Sequence, residues 1–277
     1  MHKLNQVGRS TPWRLVGRLP LDFPTFHPQG LAFAGGKTFL SSVEILELPE
    51  AVELGPGGRT PGRGVGHVFV MDPEGAVLHD LVIGEGDMYH PGGIDFDGTS
   101  VWVPVAEYRG KSSSIIQTID PASLEVKERF RVQDHIGWLV SDPLRGVLYG
   151  GSWGSRDFYT WSPDGVELDR WQNPCGFIDY QDCQHAGDGV ILCSGISALP
   201  QAGGDVEYEL GGIALVDVRH HRILHETPVP LFSAAGHVVT RNPFAMSTAD
   251  DGLVLWVAPD DGDEGGGTEI LKYEVTF

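Results

Sequence analysis

The sequence predicts an all-β chain folded as a single β-propeller of five four-stranded blades, with six blades as the alternative count. Three observations carry this prediction. A block that begins FHPQGLAFAGGKTFLSSVEI at Phe26 returns without a gap as YHPGGIDFDGTSVWVPVAEY at Tyr89, and looser copies start at Asp134, Asp179 and Thr240. The first four copies read as two apolar strands followed by a second hairpin, whose turns DPEG, DPAS, SPDG and DVRH supply the residues that tight reversals need. The copies recur every 45 to 63 residues with no amphipathic helical pattern between them, as expected of propeller blades.

In chain order, residues 1–11 lie outside the repeat and are expected to be flexible. The strand WRLVGRLPL from Trp13 has no hairpin partner beside it, while the fifth unit holds only three strands and ends in TEILKYEVTF. The N-terminal strand is therefore expected to close the ring as the outer strand of blade five, because a blade edge would otherwise stay exposed. Gly-rich insertions at 46–66 and 198–211 fall between the second and third strands of blades one and four. Loops at that place open on the face where the innermost strands begin, so both are expected to overhang the channel mouth. A sixth blade would have to hide within 46–66. The whole chain, 1–277, reads as one domain.

The chain has 277 residues, 41% of them hydrophobic, enough for a large core. Thirty-eight acidic side chains against 19 basic ones give a net charge of −19, with no Lys/Arg stripe, which argues against nucleic acid and anionic membranes as partners. The expected partner is a small-molecule substrate, for a monomer or small homo-oligomer. Cys175, Cys183 and Cys193 are odd in number and lack CxxC spacing, so no disulfide framework is expected. No signal-like or membrane-spanning apolar run is present, which reads as a soluble, cytoplasmic chain; a mature secreted chain would read the same.

The repeat turns sequence position into shared location. The head of the innermost strand holds His27, His90 and His135 in blades one to three, then Asp179-Tyr180-Gln181-Asp182, then Arg241-Asn242. Glu44 and Glu107 stand 17 residues after the first two histidines, with Trp153, Ser197 and Asp260 at nearby places in the other blades. A divalent metal suits this set, with His27, His90, His135 and Glu44 as ligands; nitrogen donors favour iron, zinc or manganese over calcium. Without a metal, Glu107, Asp179 and Asp182 can divide acid and base roles between them. Arg241 and Arg156 are candidate anchors for a substrate carboxylate or phosphate, or partners of the nearby acids. Trp153, Tyr108 and Tyr180, with Asn242, are candidate substrate-binding residues. RGKSSS at Arg109 lacks phosphate-loop spacing, GSWGS puts Trp153 where a nucleophilic serine would stand, and DDGDEGGG from Asp260 reads as a solvated acidic loop apart from Asp260 itself.

At HPGGIDFDG, WVPVAEYR, SWGSRDFYTW, DYQDC, GGIALVD and TRNPF the chain resembles an uncharacterised bacterial β-propeller family, a domain of unknown function, from about His27 to Trp256. The resemblance implies the propeller fold and carries no catalytic roles. More distantly, the hairpin rhythm is similar to gluconolactonase and strictosidine synthase-like propellers, whose Glu, Asn and Asp metal ligands are not matched here. The expectation is a metal-dependent enzyme acting on a small organic molecule at the channel mouth, foremost by hydrolysis of a lactone or ester-type bond. A lyase, isomerase or cyclase using His/Glu/Asp acid–base chemistry is one alternative, and a non-catalytic ligand-binding or scaffold propeller is another.

Overall fold

A computed structural model describes residues 3–200 and 207–277. Strand β1 (Arg14–Pro20) comes first. Blade one follows as β2 (His27–Ala34), β3 (Lys37–Glu47), β4 (Arg63–Met71) and β5 (Val77–Ile83). Blade two has an inner strand split into β6 (Met88–Pro91) and β7 (Asp95–Phe96), then β8 (Val101–Glu107), β9 (Ser114–Ile119) and β10 (Val126–Val132). Blade three is β11 (Trp138–Asp142), β12 (Val147–Gly151), β13 (Asp157–Trp161) and β14 (Glu167–Gln172). Blade four is β15 (Asp179–Gly187), β16 (Val190–Pro200), β17 (Glu207–Asp217) and β18 (Arg222–Pro228), and blade five is β19 (Phe244–Ala249), β20 (Gly252–Val257) and β21 (Glu269–Thr276). Strand β1 pairs antiparallel with β21, with Arg18 opposite Leu271, and supplies the outer strand of blade five. The count is five, and the ring closes as the sequence predicts.

The apolar residues form five clusters, one at each blade interface. Phe39, Val68, Val103 and Ile115 fill the space between blades one and two, and Ile116, Leu139, Tyr159 and Trp161 that between two and three. Trp138, Phe158 and Cys183 hold three against four; Leu192, Leu215, Phe244 and Leu255 hold four against five; Leu40, Phe69 and Ala258 complete the circle. Each blade thus buries both faces, which explains why its middle strands are apolar almost without a break.

Below the mouth the axis is sealed. Gly93 Cα approaches so closely that a Cβ there would lie 2.4 Å from Asp182 Oδ1 and 2.9 Å from Trp138 Cβ, and a Cβ on Gly92 would lie 2.1 Å from the Gly137 carbonyl. The Gly93 amide donates to that carbonyl at 2.9 Å, joining the inner strands of blades two and three directly. Asp182 Oδ2 accepts the amides of Leu31 and Phe244, both at 3.2 Å, and so ties blade four to blades one and five. Asp95 Oδ2 accepts the Ser141 amide at 3.0 Å and ties blade two to blade three. Backbone amides that would face each other across the axis are satisfied by these carboxyl groups.

Three expectations are corrected. The described part of residues 1–11, expected to be flexible, is docked: Leu4 and Val7 are buried in the cluster between blades four and five, and His225 Nε2 donates to the Val7 carbonyl at 2.6 Å; residues 1–2 lie outside the described residues. The insertion at 198–211 is a strand hairpin, with Ser197 opposite Leu210 and Pro200 opposite Glu207, because its alternating residues continue the ladder of β16 and β17. Its residues 201–206 lie outside the described residues, and none of its described residues lines the cavities at the mouth.

The third correction concerns cysteine. Cys183 and Cys193 are direct cross-strand partners on β15 and β16, with Cα atoms 4.1 Å apart, and form a disulfide; Cys175 is free and buried. The spacing in sequence hides this, because it is the hairpin register that brings the pair together. Cys193→Ser is expected to cost about 2–3 kcal/mol, the entropy of a short closed loop, read as a shift in denaturant midpoint. Oxidised protein should be two hydrogens lighter by intact mass than the reduced chain, and equal masses would remove the bond.

Candidate active site at the channel mouth

The heads of the inner strands surround a pit of about 210 Å³ lined by His27, Gln29, His90, Tyr108, His135, Trp153, Asp179 and Gln181 among others. The three histidines predicted to share a location do share it. Propeller geometry is the cause: equal register in blades one to three presents equal strand heads to one axis.

Each imidazole is held by a different neighbour. His135 Nδ1 lies 2.8 Å from the Glu107 carbonyl, which can only accept, so Nδ1 carries the proton and Nε2 keeps its lone pair beside Gly137 on the pit wall. Burial keeps this ring neutral by lowering its pKa, with the Glu107 hydrogen bond opposing. His90 stacks on Tyr108 at 4.4 Å and stands 6.1 Å from His135. Burial, with His135 and His27 nearby, pushes its pKa well below the usual imidazole range. Tyr108 is pushed up by burial against the pull of Arg59, and its hydroxyl makes no hydrogen bond among the described residues.

His27 is the ring with a carboxylate behind it. Its Nδ1 is 2.7 Å from Asp261 Oδ1, and Arg241 donates to Asp261 Oδ2 at 3.3 Å and to the Pro259 carbonyl at 3.1 Å. Burial pushes the Asp261 carboxyl up, but the hydrogen bond and charge of His27, with Arg241 and His237, outweigh it and hold the group below the usual carboxylate range. An ionised Asp261 accepts, so His27 donates from Nδ1. The loop that carries Asp261 is braced twice over. Glu264 accepts the Asp261 amide at 2.7 Å and reaches His237 at 2.7 Å, and His237 in turn bonds Glu209 of the blade-four hairpin at 2.7 Å.

Backbone geometry sets this contact. Phe26 adopts a left-handed φ of 57°, unusual for an aromatic residue, and its carbonyl accepts the Gly262 amide at 2.7 Å. A Cβ on Gly262 would meet Thr25 Oγ1 at 2.6 Å and Phe26 N at 2.9 Å. Gly262→Ala is therefore expected to lift the Asp261 loop from His27 while the fold persists, read as a change in the His27 imidazole NMR signals beside a melting curve that moves little.

A family model for a family of unknown function, DUF6454, matches residues 1–273. The chain belongs to DUF6454. A search of proteins of curated function returns no match. Among solved structures, the tail fibre of Staphylococcus aureus phage P68 matches 97% of this DUF6454 chain and 53% of its own length, at 8% identity and a TM-score of 0.54. The chain spans about half the length of that fibre. A luciferin-regenerating enzyme matches 97% of this chain and 96% of its own, at 9% identity and a TM-score of 0.53. At such identities the likeness shows the propeller fold and nothing further.

The remaining predicted site residues of this DUF6454 chain divide. Asp179 lines the pit but is paired with Arg156 at 2.8 Å; burial raises its pKa and Arg156 opposes that. Tyr180 lines the pit with its ring packed in the core. Asp182 is not at the mouth: a bulge after Tyr180 turns it down into the sealed axis, where it is 1% exposed and burial pushes its pKa far up. Asn242 is buried and lines none of the mouth cavities. Arg241 is committed to Asp261, and Arg156 to Asp179 and to the Gly154 and Cys175 carbonyls.

The two glutamates expected beside the histidines do not line the pit. His27 pairs with Val43 and His90 with Ala106, so Glu44 and Glu107, one residue on, fall on the opposite face of the sheet. Glu44 borders a second cavity of about 580 Å³, which His27, Tyr108 and Asp261 also line, and lies 3.9 Å from His67; Glu107 is bonded to Arg109 at 2.5 Å and 2.6 Å and to Ser113 at 2.5 Å. Among the described residues no three His, Cys, Asp or Glu side chains stand close enough to share a metal ion. Sequence reasoning missed Asp261, which it placed in a solvated loop, and Gln29, whose repeat position two residues after His27 could have exposed it.

Proposed function

We propose that the protein is a hydrolase of a lactone or ester-type bond in a small organic molecule, with its reaction centre in the histidine pit. The observation that supports this reading is the series Arg241, Asp261, His27, in which a cation pairs with a carboxylate and the carboxylate holds the orientation of an imidazole at the cavity. In the reaction His27 Nε2 takes a proton from water as the hydroxide adds to the acyl carbon, and Asp261 stabilises the imidazolium. The Tyr108 hydroxyl donates a hydrogen bond to the developing oxyanion. Collapse of the tetrahedral intermediate breaks the acyl C–O bond, and the proton on Nε2 passes to the departing alkoxide. His135, kept neutral by burial and with its Nδ1 proton committed to the Glu107 carbonyl, offers Nε2 to accept the water's second hydrogen, and the neutral His90 adds no competing charge.

A panel of lactones and aryl esters, assayed by proton release, tests the reading. Turnover that Tyr108→Phe reduces about 10- to 100-fold supports it, and a panel untouched by the wild-type protein overturns it. Addition of zinc, iron, manganese or calcium is the companion experiment. A rise in melting temperature that His90→Ala abolishes assigns the imidazoles to a cation and replaces the proton-transfer mechanism.

A further inference from the structure

Next to the pit, and sharing Ser152 and Trp153 with it, lies a larger cavity of about 680 Å³. Its wall carries Arg59, Lys111, Arg156 and Arg170 against only Asp134 and Asp157, a reversal of sign in a chain whose net charge is −19. The carboxylates are already engaged: Asp157 holds Arg170 at 3.2 Å, and Asp134 accepts the Tyr159 hydroxyl at 2.8 Å and the His135 amide at 2.8 Å. Arg156 is engaged with Asp179. Arg59 and Lys111 have no carboxylate partner among the described residues.

The chain assembles this wall from two separate segments. Gly57 of the 48–62 loop rests on Gly110 so tightly that a Cβ would lie 2.7 Å from the Gly110 carbonyl; the Arg59 carbonyl accepts Arg109 at 3.1 Å, and the Pro61 carbonyl accepts Tyr89 at 2.6 Å. Lys111 adopts a left-handed φ of 54°. Backbone contacts thus bring the segments that carry two exposed cations without carboxylate partners among the described residues to one wall, whose positive sign attracts an anion. Between them and the pit stands Trp153, 38% exposed, its ring 4.7 Å from His135 and 5.9 Å from Tyr108. RGKSSS lacks the spacing of a phosphate loop, yet its Lys111 lies on this wall.

We infer that the cavity is a recognition subsite for a carboxylate or phosphate carried on a planar organic body, with Arg59 and Lys111 binding the anion and Trp153 stacking on the body. The inference names the substrate class of the histidine pit and rests on that reading for its link to catalysis. The volume suits a ligand of ordinary metabolite size, and a guanidinium beside an ammonium matches either oxyanion.

Calorimetric titration of the full chain with 2-naphthoate and with its neutral amide tests it. The carboxylate is expected to bind roughly ten-fold tighter or more than the amide, and inorganic phosphate to compete with it. The preference should shrink as salt is raised. The double variant Arg59→Gln, Lys111→Gln should lose the preference for the acid and bind the amide as the wild type does. Equal binding of acid and amide, or a double variant that keeps the preference, overturns the subsite. Preference for the acid in a protein that hydrolyses no lactone or ester supports the subsite while removing the chemistry proposed for the pit.

Discussion

Replacing His27 by glutamine is expected to lower kcat/KM for the hydrolysed substrate by about 100- to 10,000-fold, the range that removal of a general base produces. The ring is partly buried and Asp261 is its only side-chain hydrogen-bond partner among the described residues, so the folded state loses little, and the melting temperature should move by a few degrees. Asp261→Asn is the sharper companion. The amide can donate to Nδ1, which drives the proton to Nε2 and removes the lone pair from the reacting nitrogen; a loss of about 100-fold or more is expected without displacement of the ring. Rates within two-fold of wild type in both variants would show that the dyad is structural.

The second large effect lies on the sealed axis. Burial lifts the Asp95 carboxyl to about 7, with the charge of Asp97 adding to the lift and amides from Ser141, Phe96 and His185 opposing it; Asp182 stands close by. Its value in the unfolded chain is 3.8. Below that value both states are protonated and the contribution to stability is complete. As pH rises from about 4 to about 7 the unfolded chain releases the proton and the fold retains it, so stability falls, by on the order of 4 kcal/mol. Asp95→Asn does not titrate. The variant should match the wild type near pH 4 and gain over it progressively to pH 8, read as the difference in unfolding free energy. His90 and His135, neutral in the fold, weaken it at acid pH in both proteins and cancel from that difference. A gap that does not change with pH would mean that Asp95 is ionised in the fold.

Much of the fold is legible because the repeat encodes it. His27 and His90 align without a gap, and equal blades bring equal positions to one axis. What the alignment could not supply is the face on which a side chain falls. Glu44 and Glu107 stand one residue beyond the partners of the histidines, and a period of two keeps them off the pit wall. Asp182 follows a bulge that no composition reveals, and it passes from mouth to axis within three residues of Asp179. Asp261 stayed hidden for another reason: the loop of blade five differs in sequence from the corresponding loops of blades one and two, and its place is set by the Gly262 contact with Phe26. The Cys183–Cys193 bond was equally invisible, since cross-strand register is a property of the hairpin and not of the spacing.

The pairing of β1 with β21 has a consequence in time. During synthesis Arg14–Pro20 emerges early, yet the strand it must join is completed only when Glu269–Thr276 leaves the ribosome. Four blades can form while that early segment waits without its ladder partner, and the fifth keeps an open edge until the two meet. The slowest contact to form is then the one between the chain's first and last strands, so that the ring, its pit and the braced Asp261 loop become complete together, as one late event.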